Sequence, residues 1–306
     1  MPDVETRTVK AANLTFAYES FGSADDPPVL LIMGLATQMI GWPDAMCEEL
    51  ARRGHWVVRF DNRDIGLSTH LSQLPAPTLR DLALRSRRPP YTIDDMADDT
   101  AALLESLGLA DAHIVGASMG GFIAQTLAVR HPTRVRSLTL FMTSTGSRLV
   151  GWPHPRIVRQ LGRRRVLADR SAAVDAAVET LELIGSRGFA FDETYLRDVA
   201  GRSYDRAFDP DGYLRQLAAC VGQPDRSRQL RRVQVPTAVI HGLDDPLVHV
   251  SGGLSLARHI PGSRFVGFTG MGHDLPRPLW PQFVDEIAAV AAQGEARRRD
   301  GRPPGS

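Results

Sequence analysis

His113-Ile114-Val115-Gly116-Ala117-Ser118-Met119-Gly120-Gly121 joins a short apolar run, Ala112 to Val115, to a Gly-x-Ser-x-Gly turn. A helical pattern starts at once, with Phe122, Ile123, Thr126 and Leu127 on one face. Strand, sharp turn and helix in this order make a nucleophile elbow. Its central serine is held in a strained backbone conformation that lifts the hydroxyl above the strand ends. Gly116 and Gly120 flank Ser118 because larger side chains would collide across so tight a turn.

Outward from the elbow, apolar strands alternate with helices. Residues 5–9 and 13–21 read as two strands around a turn at Asn13. Val29-Leu30-Leu31-Ile32-Met33 is apolar at every position, as expected of a strand covered on both faces of a parallel sheet. A helix follows from near Trp42-Pro43, then a strand over Trp56–Phe60 and a helix over Ile93–Leu107, closed by Gly108. After the elbow helix comes a strand at Val135–Met142. Residues 146–228 then carry helical patterns without a strand, the clearest at Ser171–Ile184. Strands resume at Thr237–Ile240 and Phe265–Phe268, and Leu279–Ala292 reads as the closing helix.

This alternation predicts an α/β protein built on a doubly wound, mostly parallel sheet. The core comprises residues 1–145 and 229–294, and residues 146–228 are an inserted helical lid over the strand ends, where such sheets bind ligands. Residues 295–306, rich in Arg, Pro and Gly, are expected to be a disordered tail.

Composition narrows the function classes. The chain has 306 residues, 43% hydrophobic and 23% charged, as in ordinary globular proteins. A net charge of +1 provides no field for a nucleic acid partner. Lys10 is the only lysine, which reads as genomic compositional bias towards arginine. Cys47 and Cys220 are too few and too far apart for a disulfide framework or a zinc site. No secretory signal pattern is visible, and the longest apolar run, Val29 to Ala36, is under half a membrane span. A cytoplasmic location is expected. Arg163-Arg164-Arg165, with Arg85, Arg87 and Arg88, reads as a solvated arginine face, with peripheral contact to anionic lipid as the alternative.

A serine hydroxyl is a poor nucleophile near neutral pH and needs a base to take its proton. Histidine suits because its pKa lies near working pH. Of nine histidines, His273 stands out in Gly270-Met271-Gly272-His273-Asp274, a glycine-punctuated loop after the last strand. His113 and His241 lie in strands and read as packed, structural residues. The imidazole needs an acid to hold its tautomer, and His241-Gly242-Leu243-Asp244-Asp245-Pro246 supplies two candidates on a loop leaving a strand. Asp61 and Arg63, in Asp61-Asn62-Arg63-Asp64, read as residues that fix a loop.

These motifs resemble the α/β-hydrolases, the likeness covering residues 5–294. It is carried by Leu31-Ile32-Met33-Gly34-Leu35, Gly41-Trp42-Pro43, Phe60–Asp64, Gly116–Gly121 and Gly270–Pro276. Within that fold the chain is similar to actinobacterial lipase/esterases of the LipG type and, more distantly, to methylesterases acting on anthracyclines. The resemblance implies that the acid is Asp245, and that backbone amides of Leu35 and Met119 form an oxyanion hole. Met119, next after the nucleophile at a helix N-terminus, suits that task physically. Two features depart from the pattern. Met33-Gly34 stands where many relatives have His-Gly, so a polar prop for the oxyanion loop is missing. The His-Gly-Gly-Gly loop of some lipases is also absent, which argues against bulky tertiary-alcohol esters.

The expected activity is therefore hydrolysis of carboxylic esters through an acyl-enzyme, without cofactor or metal. Thioesterase, lactonase, C–C bond hydrolase and cofactor-free perhydrolase are alternatives on the same scaffold. A non-catalytic ligand-binding protein is the alternative from another class. Trp152, Phe189, Phe191, Tyr195 and Phe208 are candidates to line a pocket for an apolar acyl or aromatic substrate.

Overall fold

The computed structural model describes residues 4–78, 81–82, 89–161 and 167–301. Both arginine groups of the candidate basic face, Arg85, Arg87 and Arg88 and Arg163 to Arg165, lie outside the described residues. The strands are β1 (Arg7–Ala11), β2 (Leu14–Phe21), β3 (Pro28–Ile32), β4 (Trp56–Phe60), β5 (Ala112–Ala117), β6 (Val135–Phe141), β7 (Thr237–Gly242) and β8 (Arg264–Phe268). They form one eight-stranded sheet in the order β1-β2-β4-β3-β5-β6-β7-β8. The first two strands pair antiparallel at one edge, and β4 through β8 run parallel.

Helices cover both faces. In chain order they are α1 (Asp44–Arg52), α2 (Ile93–Ser106), α3 (Met119–Arg130), α4 (Pro155–Leu161), α5 (Arg170–Ile184), α6 (Glu193–Arg206), α7 (Pro210–Gly222), α8 (Ser227–Leu230), α9 (Ser251–His259) and α10 (Trp280–Arg299). The all-apolar reading of β3 has its cause in two cores. Leu30 and Ile32 pack with Met96, Leu103, Ile123 and Leu127 beneath α2 and α3. Val29 and Leu31 point the other way, into a core with Met46, Leu50, Phe283 and Ile287 from α1 and α10. Helix α3 is buried from Met119 to Ala128, which explains its weak amphipathic signal.

The chain leaves β3 for β4 on one side and returns to β5 on the other, so the topological switch point lies between the C-terminal ends of β3 and β5. Open α/β sheets bind ligands at that crevice. Helices α4 to α8 all come from the segment between β6 and β7.

One sequence expectation needs correction, and one helix was not read at all. Helix α10 continues past Gly294 to Arg299, where a tail was expected from residue 295. Gly294 is there for close approach, since a Cβ would lie 2.9 Å from the Arg136 carbonyl oxygen. Glu295 then pairs with Arg136 at 2.9 Å and lies 3.2 Å from His113 Nε2. Residues 302–306 lie outside the described residues. Helix α9 gave no helical signal because it opens Ser-Gly-Gly. Its glycines make room for neighbours: a Cβ on Gly253 would lie 2.5 Å from the His241 ring, and one on Gly252 2.8 Å from Ser144.

Candidate active site

Ser118 sits where β5 turns into α3, with φ 54° and ψ −115°. That is a left-handed backbone for a residue with a side chain, and it costs energy that the surroundings must cover. They do so by crowding. A Cβ on Gly120 would meet the Ile32 carbonyl oxygen at 2.1 Å, and one on Gly116 the Gly120 carbonyl oxygen at 2.3 Å. Ser118 N donates to Phe141 O at 2.9 Å, and the Thr143 hydroxyl donates to Ser118 O at 2.8 Å. Strand β6 thus clamps the elbow from the far side.

His273 and Asp245 arrive on the loops after β8 and β7. His273 Nε2 lies 3.0 Å from Ser118 Oγ, and its Nδ1 2.7 Å from Asp245 Oδ2. A carboxylate only accepts, so Nδ1 carries the proton and Nε2 is left to receive one from serine. The other oxygen of Asp245 accepts from the amides of Leu247 and Val248, both at 2.8 Å. Asp245 is buried. Asp244 is exposed and instead accepts from Gly270 N at 2.7 Å, pinning the loop that carries His273. The geometry therefore separates the two aspartates that chemistry alone left open.

The two strand histidines are engaged away from Ser118. His241 Nε2 donates to Val248 O at 2.7 Å, and burial lowers its pKa, so it stays neutral 3.7 Å from Asp245. His113 is buried with Nδ1 2.9 Å from Ser137 Oγ.

Beyond β3 the chain makes a turn, Gly34-Leu35-Ala36-Thr37, closed by Thr37 N donating to Gly34 O at 3.3 Å. It lies against the elbow, since a Cβ on Gly34 would be 3.1 Å from Ser118 Cβ. The amides of Leu35 and Met119 carry no hydrogen bond to any described residue. The polar prop expected to be missing at Met33 comes from elsewhere. Asn62 Nδ2 donates to Met33 O at 3.1 Å, and Ala36 N donates to Gln216 Oε1 at 3.0 Å.

The segment between β6 and β7 grips this assembly at several points. Asp61, fully buried, accepts from Met39 N at 2.7 Å, Leu67 N at 3.0 Å and Arg206 of α6 at 2.6 Å. Arg63 pairs with Asp99 of α2 at 2.6 Å. Asp64 takes a two-pronged bond from Arg215 of α7 at 2.9 and 2.8 Å. Among the described residues, Asp64, His70 and Asp209 have the donor types for a metal ion, within 4.8 Å of one another. The Arg215 guanidinium bonds both carboxylates there and supplies the positive charge itself. At the opposite loop, His273 N donates to Ile184 O at 2.8 Å, and Ser186 Oγ donates to Asp274 at 2.5 Å. Burial pushes the Asp274 carboxyl above its usual range.

The candidate pocket aromatics are scattered. Tyr195 packs edge-on against Trp280 at 5.7 Å, and Phe208 lies 5.1 Å from Tyr204. Trp152 and Phe191 are exposed, and Phe189 is packed against the core under α10.

A parallel sheet with antiparallel edge, a strained serine at a strand–helix turn and a histidine–aspartate pair on the last two strand loops define a class. The chain belongs to the α/β hydrolase fold family, whose model matches residues 27–276. It is 31% identical to the rhodomycin D methylesterase DauP of Streptomyces sp. (strain C5), over 93% of this chain and 97% of that one. It is 30% identical to the rhodomycin D methylesterase DnrP of Streptomyces peucetius, with the same coverage of both chains. Among solved structures, the enol-lactonase from Burkholderia xenovorans LB400 matches with TM-score 0.68 at 23% identity, over 94% of this chain and all of that one (100%). No helix among the described residues is long and apolar enough to cross a membrane.

Proposed function

We infer that this protein is a serine hydrolase that cleaves carboxylic esters by acyl transfer to water. The observation that carries the reading is the continuous relay from Ser118 Oγ through His273 to Asp245, at 3.0 and 2.7 Å. Its similarity to two methylesterases over nearly the whole chain supports the same chemistry.

In this mechanism His273 Nε2 takes the Ser118 proton as Oγ attacks the ester carbonyl. The oxyanion is held by the amides of Leu35 and Met119, the latter at the positive end of α3. The imidazolium, steadied by Asp245, gives its proton to the departing alcohol. Water then enters, His273 removes its proton, and the acyl group leaves as the carboxylic acid while serine is restored. Residues 146–228 act as the lid that shapes the pocket. The exposed Leu149, Trp152, Phe191 and Phe208 of this segment suit a substrate with an apolar acyl or aromatic portion. The free Cys47 and Cys220 fit a reducing, cytoplasmic setting.

A fluorophosphonate probe tests the nucleophile. Wild type is expected to label at Ser118 and to hydrolyse at least one of a panel of methyl, aryl and lactone esters. Ser118→Ala should lose labelling and lower kcat by roughly four orders of magnitude or more. Equal labelling of the two proteins, or ester turnover that survives the substitution in contaminant-free enzyme, would refute the assignment.

A further inference from the structure

Gln216 lies on α7, 180 residues from the turn that follows β3, and its side chain is fully buried. Its amide joins two loops of the sheet. Oε1 accepts from Ala36 N at 3.0 Å, while Nε2 donates to Arg63 O at 2.8 Å. Ala36 has φ 59°, a conformation that glycine adopts freely and alanine resists. Ala36 and Thr37 are themselves exposed, and within the turn the Thr37 hydroxyl donates to Leu35 O at 3.2 Å. Leu35, whose amide faces the nucleophile in the mechanism above, is the residue immediately before the strained one.

The geometry points to Gln216 as a positioning residue for the oxyanion loop: the inserted helical segment grips the residues after the loop through Gln38, which donates to Ser203 O and Ala207 O, and through the buried Gln216 amide it holds the Leu35 N–H in its working orientation. The assignment rests on the ester-hydrolase reading for its kinetic consequence, but not for its structural one. Arg215, the neighbouring residue, fixes α7 to Asp64 by a bidentate pair, so Gln216 is presented from an anchored helix. The amide matches its two partners by type. Ala36 offers a donor and Arg63 an acceptor, and a glutamine side chain supplies an acceptor and a donor in one amide.

The test compares wild type with Gln216→Leu, Gln216→Glu and the double variant Gln216→Leu/Ala36→Gly. Hydrogen–deuterium exchange of the peptide spanning residues 34–40 reads the restraint without any turnover, and should quicken by about tenfold in Gln216→Leu. Ester kinetics should show kcat falling by about tenfold with KM within about twofold, since displacement of a transition-state donor acts on the chemical step. The inhibition constant of a trifluoromethyl ketone, whose serine adduct carries an oxyanion, should rise by the same factor. Gln216→Glu keeps an acceptor for Ala36 N and should retain more of kcat than the leucine variant. Ala36→Gly should recover most of the loss in Gln216→Leu, because glycine adopts the turn unaided. Unchanged exchange, a loss confined to KM, or failure of Ala36→Gly to rescue would overturn the proposal. A wild type that hydrolyses no ester would instead refute the functional reading, leaving the exchange experiment to decide the role of Gln216.

Discussion

Two neighbouring carboxylates, Asp244 and Asp245, show how finely the loop after β7 divides its labour. Asp245 turns inward, with one oxygen on His273 and the other on two amides, whereas Asp244 holds Gly270 at the surface. Asp245→Asn should lower kcat by roughly a thousandfold or more, because the amide no longer enforces the tautomer that leaves Nε2 free. Asp244→Asn should stay within about threefold, and steady-state kinetics on any cleaved ester separates the two. Ser118 and His273 were legible in the sequence because glycines crowd around both, marking backbone turns that only a tight geometry needs. Asp245 was legible only as one of a pair, since which of two adjacent side chains turns inward depends on the fold around them. Gln216 left no local mark at all: its partners are 180 and 153 residues away, and nothing near it in the chain departs from an ordinary helix.

At the scale of elements, the parallel strands could be read closely because apolar runs bounded by turns define them. The ends of helices were harder. Helix α10 was expected to stop near Gly294, yet its next turn is tied to the sheet by Glu295, Arg136 and His113. The nearby His113 ring and the charge of Arg136 hold the Glu295 carboxyl at about 2, well below its ordinary value of 4.5. A carboxylate with a depressed pKa favours the folded state above its unfolded pKa and loses that contribution as the pH falls from about 4.5 towards 2. Glu295→Gln should therefore lower stability at pH 7 by about 1 kcal/mol, a figure kept small by solvent screening of this partly exposed group. Thermal unfolding of the two proteins from pH 7 to pH 3 should show the gap closing at the acid end. A gap independent of pH would place the effect in packing instead of charge.

Across the molecule, buried polar side chains tie the helices between β6 and β7 to the sheet and its loops. Helices α6 and α7 reach the sheet through Arg206 on Asp61 and Arg215 on Asp64, and the turn after α5 reaches the histidine loop through Ile184 and Ser186. Removing one member of a buried pair leaves a charge without a partner. Arg215→Met should cost about 3–5 kcal/mol, visible as a fall in Tm, and Arg215→Met/Asp64→Asn should recover part of it. The presence of a helical block was plain from the halt in strand alternation after β6, but its attachment was not, since arginines on helices usually read as solvated. That attachment bears on how such a protein diversifies. If the helical block only roofed the pocket, it could be exchanged like a module, altering substrate range while leaving the catalytic floor intact. Here one helix carries both the side chain that grips Ala36 and the arginine that locks the neighbouring loop. On the function and the Gln216 role proposed above, a lineage that changes its substrate through this helical segment must keep the face of α7 that carries Arg215 and Gln216.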